Sequence, residues 1–133
     1  MSGLLDVSVS ALVAQRTRLD AIAANLASAD IGGNPNGPVK PPSIREVLFA
    51  TGDPANNSEL GVHVADIREV RAFIPRYEPL NPYADADGRV WYPDINPVEQ
   101  QVNMMLAARS YEANIAAIEA TKSMTNSAME ILS

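Results

Sequence analysis

The sequence contains no cysteine and a single histidine among its 133 residues. The lack of thiols excludes disulfides, thiolate-bound metals and a cysteine nucleophile. The lone histidine, His63, lies in an alternating strand-like pattern, and we expect it to be a surface or half-buried residue. A metal ion would have to be held by carboxylates alone, and nothing in the sequence singles out such a set. We therefore expect no metal and no other cofactor.

Basic residues are scarce, since ten lysines and arginines stand against sixteen acidic residues and give a net charge of −6. A nucleic-acid-binding protein needs a basic face to displace counterions from phosphates, and an anionic membrane surface also attracts basic segments. No stretch approaches the ~18 consecutive apolar residues of a membrane-spanning helix. The sequence thus predicts no nucleic-acid partner and no direct membrane insertion.

The N-terminus carries no lysine or arginine before Arg16, and Asp6 interrupts its apolar residues. A secretory signal peptide instead begins with basic residues and continues with an apolar run. We therefore expect no cleaved signal peptide.

Proline and glycine are nearly absent from both ends of the chain. All ten prolines lie between Pro35 and Pro97, and six of the seven glycines lie between Gly32 and Gly88. Proline removes a backbone donor and glycine carries an entropic cost in a helix, so their absence predicts helical ends.

This distribution divides the chain into three segments. We predict a helical arm over residues 1–31, a β-rich insert over residues 32–96 and a second helical arm over residues 97–133. The two arms are expected to form one helical domain. The predicted fold class is mainly α with a small β-rich insert, in which the long terminal helices pair as a coiled-coil-like bundle in a polymer.

The first arm carries a heptad pattern over a predicted helix at residues 4–30. The pair Gly32-Gly33 supplies a natural stop, and Ile22 lies beside the leucine stripe. The leucines recur every seven residues, which is typical of a packing seam: Leu5, Leu12, Leu19 and Leu26.

The second arm is predicted to be a helix over residues 98–132. Asn96 is a suitable N-cap, and Pro97 suits the first helical position. Steps of four and three residues define a second seam, weakened by two polar members: Met104, Ala108, Tyr111, Ile115, Ile118, Lys122, Thr125, Met129 and Leu132.

The seam spacing alone also fits an intramolecular hairpin that buries its own apolar stripe. A single seam on each helix buries few side chains. The free energy gained by this burial is small compared with the entropic cost of ordering two long arms. The many alanines and serines outside the seams suit close approach by further helices. These features favour packing between molecules.

The insert contains three candidate strands, at residues 44–49, 62–74 and 89–92. Residues 77–83 carry two prolines and are expected to be extended without forming a central strand.

A turn is predicted at Asp85-Ala-Asp87-Gly88. The same residues resemble the start of a calcium loop, but its sixth position is Val90 and its twelfth is Asn96, which do not fit. Tyr83 and Tyr92 flank the turn. We expect both to be exposed and to contact neighbours, because large aromatic side chains dominate specific interfaces.

Two motifs identify a resemblance. In the first arm, Ala11-x-x-x-Gln15 precedes Arg18-Leu19 and then Asn25-Leu26-Ala27; in the second, Arg109-x-Tyr111-x-Ala113-Asn114 lies near the start of the helix. Both resemble the terminal signatures of the flagellar rod, hook and hook-associated protein family. The segment at residues 77–99 is similar to the central segment of the proximal rod members, whose short length also fits.

The resemblance implies a structural subunit, not an enzyme, in the flagellar basal body. It implies export without signal cleavage through the flagellar type III apparatus, and assembly with itself and with proximal and distal rod proteins into a helical tube. That tube crosses the periplasm and transmits torque. The candidate packing and assembly residues are Leu5, Leu12, Leu19, Ile22, Asn25, Leu26, Met104, Arg109, Tyr111, Asn114, Ile115, Ile118, Met129 and Leu132, with Tyr83 and Tyr92 as insert contacts.

Two other classes of function remain open from the residues. One is a stably folded cytosolic adaptor built as a helical hairpin. The other is a small periplasmic hydrolase that uses two of the many carboxylates.

We predict that a charge on either seam blocks assembly. Leu19→Asp or Ile115→Asp would place a carboxylate in a tightly packed wall, which is costly unless it is paired. Cells that carry either change are expected to lose swimming in soft agar. Normal swimming of cells with either variant would show that the proposed seam is wrong.

Overall fold

A computed structural model describes residues 2–133 of the chain, with side-chain burial described from Leu5 onward. The elements follow in the order α1, β1, a single 3-10 turn at Pro54–Asn56, β2, β3, β4 and α2. Their bounds are Ser2–Ser28 for α1, Ile44–Asp53 for β1, Ser58–Val70 for β2, Phe73–Tyr77 for β3, Arg89–Pro93 for β4 and Pro97–Leu132 for α2.

The predicted mainly α class is wrong. The two helices of 27 and 36 residues are accompanied by strands of 10, 13, 5 and 5 residues, which form two separate two-stranded antiparallel sheets. The chain is therefore a mixed α and β structure and not a helical bundle with a small insert. The physical reason is that two strands of 10 and 13 residues pair as one long hairpin along α1, so the middle of the chain is not a small insert.

Both helices begin and end close to their predicted limits. The Asn96 side-chain oxygen accepts hydrogen bonds from the backbone N–H groups of Val98 and Glu99, at 3.0 and 3.3 Å, so the predicted N-cap is confirmed. Pro97 occupies the first helical position, where its missing N–H costs nothing. Among the described residues, neither helix is long and apolar enough to cross a bilayer.

The two helices run antiparallel. Glu99 and Asn103, at the start of α2, line the same cleft as Arg18 and Asn25, near the end of α1. At 1.5 Å per residue α1 is roughly 40 Å long and α2 roughly 54 Å long. The end of α2 therefore extends past the start of α1.

The other side of α1 lies against the β1–β2 hairpin. Small and polar residues at steps of three and four form this face of the helix, and they line two clefts together with strand residues: Ser10, Ala14, Thr17, Ala21 and Asn25. Short side chains let a helix and a sheet approach closely. α1 is thus the central element, with α2 on one side and the hairpin on the other.

The β1–β2 hairpin is longer than the sequence pattern predicts, because pairing continues from Ile44 opposite Val70 to Asp53 opposite Ser58. Register shifts after Leu48 and after Thr51 interrupt the alternation of side chains, so a period-two pattern covers only part of each strand. His63 is half-buried in β2, as expected, and its ring Nδ1 donates to the Gly52 carbonyl at 3.0 Å.

The predicted single strand at residues 62–74 is also wrong, since the chain leaves the first sheet after Val70 and enters the second at Phe73. The segment after Tyr77 folds into consecutive turns and is not extended. The predicted turn at Asp85–Gly88 is confirmed: the Gly88 N–H donates to the Asp85 carbonyl at 3.0 Å, and Gly88 has a φ of 76°, which favours glycine.

The β3–β4 ribbon gains a third member from the segment after α1. The Gly33 N–H donates to the Trp91 carbonyl at 2.9 Å, and the Trp91 N–H donates to the Gly33 carbonyl at 2.8 Å. A Cβ at Gly33 would lie 2.7 Å from backbone atoms of Val39, Lys40 and Pro41. Only glycine fits there, because backbone cannot move aside as a flexible side chain can.

We predict that Gly33→Ala destabilises the ribbon by ~1–3 kcal/mol, the usual cost of overpacking. Trp91 is the only tryptophan, so its fluorescence during urea unfolding reports this contact. Gly37→Ala is the control, since its Cβ would approach only the Asn34 side chain, at 3.1 Å. Equal unfolding midpoints for the two variants would contradict the close backbone approach at Gly33.

Candidate assembly surface

One face of α2 is shielded, and its position differs in part from the predicted seam. From Met104 onward a series of shielded residues recurs at alternating steps of three and four, and Ala108 and Ser110 beside it are shielded as well: Met104, Ala107, Tyr111, Asn114, Ile118, Thr121 and Thr125. Ala107 is fully buried. α1 is the element against which α2 packs most extensively, so this face is the helix–helix contact.

The predicted seam shares every seventh residue with this face, as at Tyr111 and Ile118, and differs between them. Asn114 is shielded in place of its neighbour Ile115, which is 37% exposed. Residues three and four positions away lie on opposite sides of a helical stripe. Only the position of α1 decides which side is covered.

The last two turns of α2 extend past the shielded face. Every residue from Asn126 to Ser133 is exposed, including the predicted packing residues Met129 and Leu132, of which Leu132 is 87% exposed. The structure therefore does not bring these two residues against α1.

A second apolar stripe follows the opposite side of α2. At 100° per residue its members lie roughly 145° around the helix from the shielded face. Three exposed polar residues, Arg109, Ser123 and Ser127, lie on the same side of the helix. The apolar members are exposed: Val98, Val102, Met105, Leu106, Ala113, Ala116, Ala120, Met124 and Ile131. We call this set the outer stripe. Exposed apolar residues repeated along one side of a helix, even with Arg109 among them, indicate an interaction site.

The predicted packing residues of α1 fall into two groups. Ile22 and Asn25 are buried. The four heptad leucines, Leu5, Leu12, Leu19 and Leu26, are partly shielded. The exposed face of α1 carries Val9 and Val13 among charged residues, so α1 also presents apolar side chains that the chain itself leaves uncovered.

Asn25 connects α1 to the hairpin. Its side-chain Nδ2 donates to the Arg45 carbonyl at 2.9 Å, and its Oδ1 accepts from the Arg45 N–H at 2.8 Å. The amide group thus pairs with the backbone of β1 as a neighbouring strand would. A packing role for Asn25 is predicted from the sequence, but this contact with β1 is not. The sequence feature that indicates such a contact is a polar amide within an apolar helical face, because a buried amide needs a hydrogen-bond partner.

The two tyrosines predicted as insert contacts differ in exposure. Tyr83 is 47% exposed, whereas Tyr92 is 7% exposed, so the expected exposure of Tyr92 is wrong. The Tyr92 hydroxyl donates to the Glu78 carboxylate at 2.6 Å, and the Arg76 guanidinium lies 4.4 Å from its ring centroid. The hydrogen bond to Glu78, together with burial, raises the pKa of Tyr92 above its usual value. Tyr92 holds the ribbon together and does not face solvent.

Asp85 organises the turn between β3 and β4. Its Oδ1 accepts from the N–H groups of Asp87 and Arg89, both at 2.9 Å, and its Oδ2 accepts from the Trp91 indole N–H at 3.2 Å. The Arg89 backbone bond and then the Trp91 bond lower the pKa of Asp85 below its usual value. The carboxylate is therefore engaged in holding the turn.

Two family models match the helical parts of the chain. One, described as "Flagella basal body rod protein", matches residues 5–32, and the other, described as "Flagellar basal body rod FlgEFG protein C-terminal", matches residues 86–131. These ranges hold nearly all of α1 and α2. The chain is accordingly a protein of the flagellar basal-body rod class.

Curated relatives narrow the class. The chain is 42% identical to the flagellar basal-body rod protein FlgC of Aquifex aeolicus, over 89% of this chain and 87% of that protein. It is 41% identical to FlgC of Escherichia coli O6:H1, over 91% and 90%, and 36% identical to FlgC of Bacillus subtilis, over 96% and 95%. The chain belongs to the FlgC family of flagellar basal-body rod proteins.

Membership makes the chain a structural subunit of the bacterial flagellar basal-body rod, which serves motility. The predicted resemblance is confirmed. The adaptor and hydrolase alternatives are not favoured by these relatives.

We predict that Asn25→Ala loosens the hairpin from α1. The change leaves the Arg45 N–H and carbonyl without their partner, which costs ~1–3 kcal/mol when water cannot replace it. Faster hydrogen exchange of the Arg45 amide in the purified chain would report the loss.

Asn103→Ala is the matched control for this prediction. Asn103 is a half-buried asparagine whose side chain makes no hydrogen bond within residues 2–133. Its loss should leave the exchange of Arg45 unchanged. If Asn25→Ala also leaves that exchange unchanged, the hairpin is held by other contacts.

Proposed function

We propose that the chain is a subunit of the proximal part of the rod and that α1 and α2 pack with the helices of neighbouring subunits in the wall of a helical tube. The observation that carries the proposal is the outer stripe of α2. An amphipathic helix of a monomeric protein has one apolar face, whereas α2 has two on opposite sides and α1 covers one.

The energetics support a neighbour on the outer stripe. Burying an aliphatic side chain fully contributes ~1.5–3 kcal/mol, and residues such as Val102 and Met124 are 49% and 66% exposed in the isolated chain. The alanines at positions 113, 116 and 120 allow a second helix to approach closely. The exposed end of α2, with Met129 and Leu132, would be covered in the same way.

The small core of the isolated chain supports folding that is completed by assembly. Apart from glycines and prolines, eight apolar residues of the described chain are buried, and four of them are alanines: Ala14, Ala21, Ile22, Ala29, Val90, Tyr92, Ile95 and Ala107. Such a core contributes little against the entropy of ordering two long helices. This suits a subunit that passes unfolded through the flagellar type III export apparatus, without a cleaved signal peptide, and then folds on the growing rod.

In this proposal the arms at residues 1–31 and 97–133 form the packing domain. The segment at residues 32–96 contacts neighbours along and around the tube, with Tyr83 among its contact residues. The partners are further copies of the chain and the other proximal and distal rod proteins. The tube spans the periplasm and transmits torque, and the subunit's role is mechanical, without catalysis.

The test is a charge on the outer stripe. Val102→Glu or Met124→Glu is expected to abolish swimming and to remove the subunit from isolated basal bodies, because a buried unpaired carboxylate is costly. The circular dichroism of the purified variants should stay unchanged, since both side chains are exposed in the isolated chain.

Gln101→Glu is the matched control, because Gln101 is exposed, adjacent to Val102 and outside the outer stripe. That variant should swim normally. If Val102→Glu and Met124→Glu swim as well as the control, α2 is not enclosed by neighbouring helices.

A further inference from the structure

The loop between β3 and β4 presents apolar side chains to solvent. Leu80 is 98% exposed and Tyr77 is 75% exposed, and the flanking Pro79 and Pro82 are exposed as well. We call residues 78–83 the Leu80 loop. A leucine exposed to this degree between two prolines contributes no hydrophobic burial energy to the chain's own fold.

The Leu80 loop is held in one conformation by its own hydrogen bonds. The Asn81 N–H donates to the Glu78 carbonyl at 3.1 Å, and the Tyr83 N–H donates to the Asn81 side-chain oxygen at 2.9 Å. The Ala84 N–H donates to the Asn81 carbonyl at 3.0 Å, and the Glu78 N–H donates to the Gly88 carbonyl at 2.9 Å. A loop ordered before binding pays little entropy on docking, so Leu80 is a preorganised contact.

A cleft of about 270 Å³ lies where the segment after α1 meets the start of β3. Apolar residues and two cations line it: Pro35, Lys40, Pro41, Ser43, Arg71 and Phe73. A cavity of ~150 Å³ accepts a benzene-sized group, so a leucine side chain fits. Within residues 2–133 the structure shows no ion pair or side-chain hydrogen bond for Lys40 or Arg71, so both charges are available to a partner.

The loop and the cleft lie at opposite ends of the same ribbon. Phe73, in the cleft, pairs with Pro93, whereas Tyr77, next to the loop, pairs with Arg89. Four residues of strand separate the two ends by roughly 13 Å. No residue of the loop lines the cleft of its own chain, although Pro82 and Tyr83 line a separate cleft with the neighbouring residues Pro38 and Val39. A second chain can therefore supply the partner for each.

A free carboxylate lies near the loop and two free cations line the cleft, while exposed Arg89 also lies at the loop end and exposed Asp94 at the cleft end. Asp87 follows the loop and is exposed, and its carboxylate makes no hydrogen bond or ion pair with residues 2–133. The neighbouring Asp85 carboxylate is already engaged by the turn and by Trp91. The free carboxylate of Asp87 and the exposed leucine can thus meet two free cations and an apolar floor on another copy.

We propose that the Leu80 loop of one copy docks in the Lys40–Arg71 cleft of a second copy, with Leu80 against Phe73 and Asp87 facing the two cations. Because the two surfaces differ, the contact is head-to-tail, and it continues from copy to copy instead of closing on itself. The inference rests on the proposed assembly of the chain into a tube, and it adds a contact away from the helices.

Disulfide crosslinking tests this contact, since the chain has no cysteine of its own. Leu80→Cys combined with Ser43→Cys should give a ladder of dimers, trimers and longer chains on oxidation. The crosslinked products are measured in two samples. One is basal bodies isolated from swimming cells whose only copy of the subunit is this variant, and the other is the concentrated purified chain. Each single variant should give at most a dimer.

Ala65→Cys combined with Leu80→Cys is the matched control, because Ala65 is exposed on β2 and lies outside the cleft. It should give no ladder. Absence of a ladder from the Leu80–Ser43 pair in both samples would overturn the proposal, as would a product that joins Leu80 only to a different rod protein. The Val102→Glu variant tests the helical assembly separately. If that variant fails to assemble and the Leu80–Ser43 pair still gives no ladder, only the contact between loop and cleft is rejected.

A charge exchange provides a second measurement. Asp87→Lys, or Lys40→Asp, in the double-cysteine background should lower the ladder yield about fivefold, the effect of losing one partly screened ion pair. The two changes together should restore most of the yield. An equal yield from all variants would show that the charges do not face each other.

Discussion

The packing of α1 between α2 and the β1–β2 hairpin is the constraint on which the rest of the structure depends. The hairpin is joined to α1 at two places, where Asn25 pairs with the Arg45 backbone and where the Ser10 hydroxyl accepts from the Val62 N–H at 3.2 Å. α2 packs on the opposite side and has little contact with the strands. Because the two outer layers share almost no surface, α1 alone sets their relative position.

This arrangement leaves apolar surface of α2 uncovered, and that surface is the basis of the proposed packing with neighbouring subunits. The central helix α1 covers one face of α2 and one face of the hairpin. The opposite face of each therefore stays exposed in the isolated chain. The outer stripe of α2, with Val102 and Met124, is one consequence. A monomeric protein would carry polar residues there, whereas in the proposed tube the neighbouring helices cover the stripe and stabilise the subunit.

The β3–β4 ribbon is a second, independent unit that depends on close backbone approach. The backbone of Gly33 pairs with that of Trp91, and the Asp85 carboxylate accepts hydrogen bonds within the turn. The buried Tyr92 donates a hydrogen bond to Glu78. Rigid ends follow from this construction, since the loop at one end and the cleft at the other are both fixed relative to the strands. The ribbon can therefore present two different surfaces in a constant geometry.

Local signals in the chain were sufficient for the helices and their ends, for the Asn96 cap, for the turn at Asp85–Gly88 and for the family, because each depends on residues close together in sequence. The remaining features depend on tertiary packing. Which side of the α2 stripe meets α1, whether Asn114 or Ile115 is covered, and whether Tyr92 is buried depend on elements far away in the chain. The β1–β2 hairpin was underestimated for the same reason: bulges break its alternation, and its stability comes from α1, which no local pattern reveals.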